Sequence, residues 1–223
     1  MQLKFLTGLM RLPVRQIILI SSLIGFITPC FAQSAFEGFY GQIGIGYESS
    51  APNFSGGTLN KAPISYTVSG GNVNGFAGTA ALGYYFGVSQ SFLLGIGAEY
   101  SPINSSTTNY SVTLPAYKYS ESDPIYKKNS YNIYISPAYV IDKDKLAYAK
   151  VGYSSAVYNS QGSDNTFSGY SLGLGYRQII TGNWYGFGEI NYTSYGNQSY
   201  ADDASGTFNF KVTNALVGVG YKF

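Results

Sequence analysis

Histidine is absent from all 223 residues, and cysteine occurs once, at Cys30. Charge is scarce: Asp, Glu, Lys and Arg together make up 11% of the chain, about half the share of an ordinary soluble domain. Past the N-terminal leader, no apolar run reaches the length of a membrane-spanning helix. Each shortage excludes something. Without an imidazole that titrates near neutrality, Ser–His and Asp–His hydrolysis have no base. One cysteine leaves no internal disulfide and no thiolate metal cage. Few charges and no basic patch argue against nucleic acid.

Tyrosine, phenylalanine and glycine stand in their place, with 23, 14 and 28 copies, and mean hydropathy is near zero. A chain poor in charge and rich in Tyr and Gly, without long apolar runs, fits a membrane β-barrel. Composition alone also allows a soluble sandwich.

The first 32 residues read as a cleavable signal peptide. Lys4, Arg11 and Arg15 form a positive start, and Ile17 to Ile27 an apolar stretch too short to cross a bilayer. Cys30 and Ala32 supply small residues for cleavage before Gln33. The competing reading is an uncleaved anchor. Ile27, Thr28 and Pro29 do not resemble a lipobox, so Cys30 is expected to leave with the leader rather than carry lipid. The leader removes three basic charges, and what remains has no basic excess. The expected organisation is a signal peptide over 1–32 and one barrel domain over 33–223.

After Ala35 the pattern has period two, in eight segments. One alternate set carries no charged or amide side chain: Phe39, Ile43, Ile45 and Tyr47 in the first segment, then Phe76 to Phe86, Phe92 to Tyr100, Tyr131 to Tyr139, Ala147 to Tyr153, Tyr170 to Tyr176, Trp184 to Tyr192 and Ala215 to Phe223, every second residue. The other set holds Gln42, Glu48, Thr79, Glu99, Asn132, Ser136, Lys150, Ser171, Arg177, Glu189, Asn191 and Lys222. Alternation is symmetric to inversion and does not say which face is inside. Aromatic spacing does. Phe39 and Tyr47, Phe76 and Tyr84, Phe92 and Tyr100, Tyr131 and Tyr139, and Trp184 and Tyr192 are each eight residues apart. Eight strand residues rise roughly 27 Å, or about 20 Å along the normal of a tilted barrel. Two aromatic girdles flanking an apolar band place this set in lipid.

The links alternate. Gly87 to Ser91, Asp142 to Lys145 and Ile179 to Asn183 are short. The stretches 49–74, 101–129, 154–168 and 193–206 are long, as expected of extracellular loops. Pro137 sits in mid-segment, where it removes a ladder hydrogen bond, so a bulge there is expected to disturb the register of that strand.

On these residues the chain resembles the OmpA/OmpX-like family of small outer-membrane barrels, opacity-type surface proteins among them, over residues 36–223. The ending Val217, Val219, Tyr221, Phe223 looks like the C-terminal signal read by the barrel-assembly machinery. The resemblance implies an all-β, eight-stranded antiparallel up-and-down transmembrane barrel in the outer membrane of a Gram-negative bacterium, exported by the general secretory route. It implies outer-membrane lipid, lipopolysaccharide and the assembly machinery as partners, and no cofactor. The wall-anchoring second domain of two-domain members is not expected. The barrel enzymes of similar build each use a catalytic His, so their mechanisms do not transfer and no catalytic residue is assigned.

Inside so narrow a barrel, Glu48, Glu99, Lys150 and Glu189 are expected within mutual reach. Lys150 should pair with at least one Glu, leaving an excess of acid. Arg177 and Lys222 are expected near the periplasmic rim. Inward Tyr40, Tyr85, Tyr134, Tyr148, Tyr185 and Phe187 would fill space left by inward glycines. The acidic pairs Glu121 with Asp123 and Asp202 with Asp203 are read as solvated loop rather than cation sites. Ile64, Tyr66 and Val68, and Tyr110, Val112 and Leu114, alternate as strand extensions that either pair with each other or bind a partner by strand addition. Three functions follow: a structural or surface-interaction barrel, including adhesin-type binding; a small gated ion or solute channel; and an enzyme, which the missing histidine disfavours.

Overall fold

A computed structural model describes residues 34–59, 65–200 and 204–223. The expected signal peptide, Ile64, and the pair Asp202 and Asp203 lie outside the described residues. The strands are β1 (Gly38–Leu59), β2 (Ser65–Gly70), β3 (Val73–Gly87), β4 (Phe92–Ser101), β5 (Thr108–Leu114), β6 (Tyr119–Asp142), β7 (Lys145–Ser160), β8 (Ser163–Thr181), β9 (Trp184–Tyr195), β10 (Gln198–Tyr200) and β11 (Ala204–Lys222). Eight of them close an antiparallel ring in the order β1-β3-β4-β6-β7-β8-β9-β11, with β11 returning to β1. Closure leaves the ring no edge strand and satisfies its backbone within the wall, which is what a lipid environment demands.

The alternation sets the faces. Phe39, Ile43, Ile45 and Tyr47 are exposed on β1, whereas Tyr40, Gln42 and Glu48 are buried. The same holds on β8, where Tyr170, Leu172, Leu174 and Tyr176 face out and Ser171 and Arg177 face in. The apolar set is therefore the outer surface, the inverse of a soluble barrel.

Two sequence expectations need correction here. The stretches expected as long loops are largely strand. β7 and β8 continue their ladder from Tyr153↔Tyr170 up to Ser160↔Ser163, closed by Gln161 and Gly162, both with positive φ (51° and 80°). Such φ values belong to the tight primed turns that match the twist of paired strands. β2 and β5 pair with each other from Thr67↔Thr113 to Gly70↔Tyr110, and with β1 and β6 on their outer sides. The extensions that carry Tyr66, Val68, Tyr110 and Val112 thus satisfy one another. The wall rises above the girdle as a raised collar.

The register of β6 is undisturbed at Pro137, which pairs with Leu94 in an unbroken run from Phe92↔Tyr139 to Ser101↔Ser130. Pro137 has no N–H to offer β7. The neighbouring Ser136 Oγ instead donates to the Ala149 carbonyl at 2.8 Å, and lies 2.8 Å from the Tyr85 hydroxyl. A side chain thus replaces the missing backbone donor. The shifts in β6 fall elsewhere, between Lys127 and Asn129 and between Val140 and Asp142.

Candidate functional site: the charged lumen

The lumen is layered. Its periplasmic end is an apolar cluster in which Phe36, Leu93, Ala138 and Leu146 are buried, with Val140 and Ile179 packed on it. Phe36 comes from the turn before β1, where the Glu37 N–H donates to the Ser34 carbonyl at 3.0 Å.

Above it lies Arg177. It was expected near the rim, and the structure corrects this: the side chain is 2% exposed, inside a cage of rings. Its guanidinium carbon lies 4.0 Å from the Tyr40 ring centroid, and 4.9, 5.0 and 5.2 Å from those of Tyr185, Tyr148 and Tyr85. Nη2 donates to Gln42 Oε1 at 2.8 Å, and Tyr185 Oη donates to the same oxygen at 3.2 Å. Ring quadrupoles face the cation where no carboxylate touches it. Lys222 is half-buried, with its Cε 3.5 Å from where a Cβ on Gly38 would stand.

The rings fit because the facing positions are glycine. A Cβ at Gly95 would meet the Tyr85 ring at 2.6 Å, and one at Gly97 the Tyr134 ring at 2.6 Å. No real Cβ tolerates that approach. The inward glycines are therefore sockets for the inward tyrosines, and both are needed to fill so narrow a bore.

Next comes the ion-pair layer. Lys150 Nζ donates to Glu99 Oε2 and to Glu189 Oε1, each at 2.7 Å, and sits 4.5 Å from the Tyr134 ring centroid. Tyr148 Oη donates to Glu189 Oε2 at 2.8 Å, and Asn191 Nδ2 to Oε1 at 2.6 Å. Every carboxylate oxygen of Glu189 is thus engaged, as a buried charge requires.

Glu48 takes a different partner from the one expected. Lys127 Nζ donates to its Oε2 at 2.5 Å, and both side chains are buried. Lys127 was not among the sequence-derived candidates. The bulge between Lys127 and Asn129 shifts the alternation of β6, so that Lys127 and Ile125 turn inward while Tyr131 and Ile133 face out. Lys127 narrows the expected excess of acid without removing it. Glu48, Glu99 and Glu189 meet two ammonium groups, Lys127 and Lys150, while the cation Arg177 is held by rings and Gln42. The surplus of three Glu over one Lys in the alternation was the available clue that another cation had to turn inward.

Between the two ion pairs lies a polar cavity of about 30 Å³, room for about one water, lined by Glu48, Glu99, Lys127, Asn132, Asn191 and Asn214 among others. A second apolar cluster closes over it. Tyr158 and Phe210 stack at 4.0 Å, Phe167 stands edge-on to both, and Ile125, Ala156, Tyr195 and Val212 complete it. Among the described residues, no group of three or more His, Cys, Asp or Glu side chains converges as a metal site. Glu121 and Asp123 stand on β6 opposite Val112 and Tyr110.

An inside-out sheet closed into an eight-stranded ring, with a packed, charged interior and an apolar belt, defines a small membrane barrel. The chain belongs to the family of the outer membrane protein beta-barrel domain, which it matches over residues 18–223. No curated protein sequence matches it. Among solved structures, it is similar to the outer membrane protein OprG from Pseudomonas aeruginosa, with a TM-score of 0.54 at 11% identity over 84% of this chain and 96% of that one. Neisserial surface protein A gives 0.48 at 18% identity, over 84% and 98%. Ail, the attachment invasion locus protein of Yersinia pestis, in complex with the heparin analogue sucrose octasulfate, gives 0.44 at 17%, over 84% and 99%. At these identities the likeness to OprG speaks for the fold alone.

Proposed function

We propose that this protein is a closed structural barrel of the outer membrane, exported by the general secretory route, that supports envelope integrity and carries a raised β-collar as its interaction surface. The observation that carries the reading is the layered lumen. Two apolar clusters stop its ends, and between them three carboxylates are held by two ammonium groups. A bore filled in this way stiffens the wall and fixes strand register instead of passing solutes. The absence of histidine from the whole chain supports a non-enzymatic role. Lipid and lipopolysaccharide are the partners that the belt and collar meet, and Val217, Val219, Tyr221 and Phe223 the residues offered to the assembly machinery.

A strain lacking the gene tests this reading. It should become sensitive to detergents and release periplasmic proteins, and the intact gene should restore it. Parental resistance in the deletion strain would contradict the envelope role. If that strain also binds surfaces and host cells as its parent does, the adhesin version fails.

The polar cavity beside the two ion pairs favours a second reading, a small gated channel. In that case the pairs Lys127–Glu48 and Lys150–Glu99–Glu189 are the gate, and the apolar ends must open.

A further inference from the structure

The polar cavity between the two ion pairs holds an unbalanced charge. Glu189 receives Lys150, Tyr148 and Asn191 on its two oxygens. Glu48 and Glu99 are served differently. Each gives Oε2 to a lysine, and no other donor among the described residues reaches either carboxylate. Both line the cavity, and their second oxygens are left to it. Thr193 lines it too; it is 8% exposed, and its hydroxyl has no hydrogen-bond partner among the described residues. Three carboxylates meet two ammonium groups here, because Arg177 lies in the layer below, held by rings and Gln42. One negative charge is therefore left over beneath the Tyr158 and Phe210 cluster. A buried charge without a counter-ion is costly. A water in the cavity would supply donors but no charge. A potassium ion is about the size of a water, and the cavity, at about 30 Å³, has room for about one. Carboxylate and hydroxyl oxygens are the ligands that hard cations take. A calcium ion would over-neutralise a single surplus charge.

We propose that this cavity is a binding site for one monovalent alkali cation, held by the free carboxylate oxygens of Glu48 and Glu99 and by the Thr193 hydroxyl. The ion completes the charge balance of the lumen. The site rests on the packed lumen and not on the envelope role, so the deletion strain and the cation experiments fail separately.

The wild-type barrel is refolded with rubidium chloride, a heavy stand-in for potassium, and crystallised, and the anomalous difference map is read at the cavity. In parallel, urea midpoints are compared in potassium chloride and in N-methylglucamine chloride at equal ionic strength, so that screening cancels. The wild-type protein should show one rubidium peak between Glu48 and Glu99, and its midpoint should rise with potassium, as for any ligand of the folded state. Glu99→Gln removes the surplus charge. It should lose the peak, and its midpoint should be the same in both salts. Thr193→Val keeps the charge and the branched shape, and should need several-fold more potassium for the same rise; it tests the ligands if Glu99→Gln refolds poorly. No peak and equal midpoints in the wild-type protein would overturn the site and leave a water or a proton in the cavity. An undiminished peak in Glu99→Gln would overturn it as well, and so would a larger rise with calcium chloride at matched ionic strength.

Discussion

The same strands build two regions with opposite rules. Below the outer girdle, β7, β8 and β11 turn Lys150, Ser171, Arg177 and Asn214 inward and Val151, Leu172 and Val217 outward. Above it they turn Ala156, Tyr158, Phe167, Phe210 and Val212 inward, with Thr166, Asp164 and Lys211 outward. In these three strands the inward parity is kept; the chemistry assigned to it changes. In lipid the wall must be apolar and the bore takes the polar groups, whereas in water the collar buries its aromatics as a soluble sheet does. The belt is thus specified by paired charges and ring-in-glycine sockets, and the collar by ordinary hydrophobic packing.

Substitutions that break one rule should act on one region. Lys150→Met leaves Glu99 and Glu189 buried together without their cation and should cost about 3–5 kcal/mol, read as a lower urea midpoint for the whole barrel. Phe210→Ala removes the ring stacked on Tyr158 and is expected to cost a similar 3–5 kcal/mol, but locally. Hydrogen exchange should rise in the upper parts of β7, β8 and β11 while the belt keeps its protection. Global unfolding from Phe210→Ala would mean that collar and belt are one cooperative unit.

Within the belt, face decides the outcome. Gly97→Leu drives a side chain into the Tyr134 ring and should cost about 1–3 kcal/mol in denaturant melts. Ser136→Ala leaves the Ala149 carbonyl and the Tyr85 hydroxyl without their shared partner and should cost about 1–3 kcal/mol by the same measurement.

The smallest effect belongs to the surface of the collar. Asp164 accepts from Lys128 at 2.9 Å and from Asn159 at 2.5 Å, and these bonds hold its carboxyl below the usual carboxylate range. A depressed folded-state pKa gives stabilisation that is present above the unfolded value and lost as pH falls through the folded one. Opening of the β7–β8 hairpin, followed by amide exchange, should therefore ease slightly in acid, below about pH 4. Asp164→Asn should remove that slope; an unchanged slope would put its origin elsewhere.

How much of this was legible follows from the same contrast. The outward set and the girdles can be read directly because lipid punishes any polar residue there, which keeps the alternation clean from Phe39 to Phe223. The inward glycines and tyrosines were legible as a set, but not which ring enters which socket, because that depends on cross-strand register. Lys127 was hidden, since a bulge of one residue reverses parity and nothing local at Lys128 announces it. Arg177 looked like a rim residue because sequence distance from the girdle ignores how far its side chain reaches into a ring cage. Beyond the alternation at Tyr66 and Val68 and at Tyr110 to Leu114, the collar reads as loop because Ser, Asn and Thr on its outer face are the composition of turns, although Tyr158, Phe167 and Phe210 keep the inward parity.

Single-channel recording in planar bilayers tests the closed, ion-paired lumen most directly, on the refolded wild-type barrel and a Glu48→Gln/Lys127→Met double variant, each first shown to be folded by its heat-modifiable mobility. The account predicts no conductance from either, because the apolar ends around Leu93 and Leu146 and around Tyr158 and Phe210 remain in place. Discrete openings in the wild-type barrel, with a size or ion preference that shifts in the double variant, would contradict it and make the ion pairs a gate.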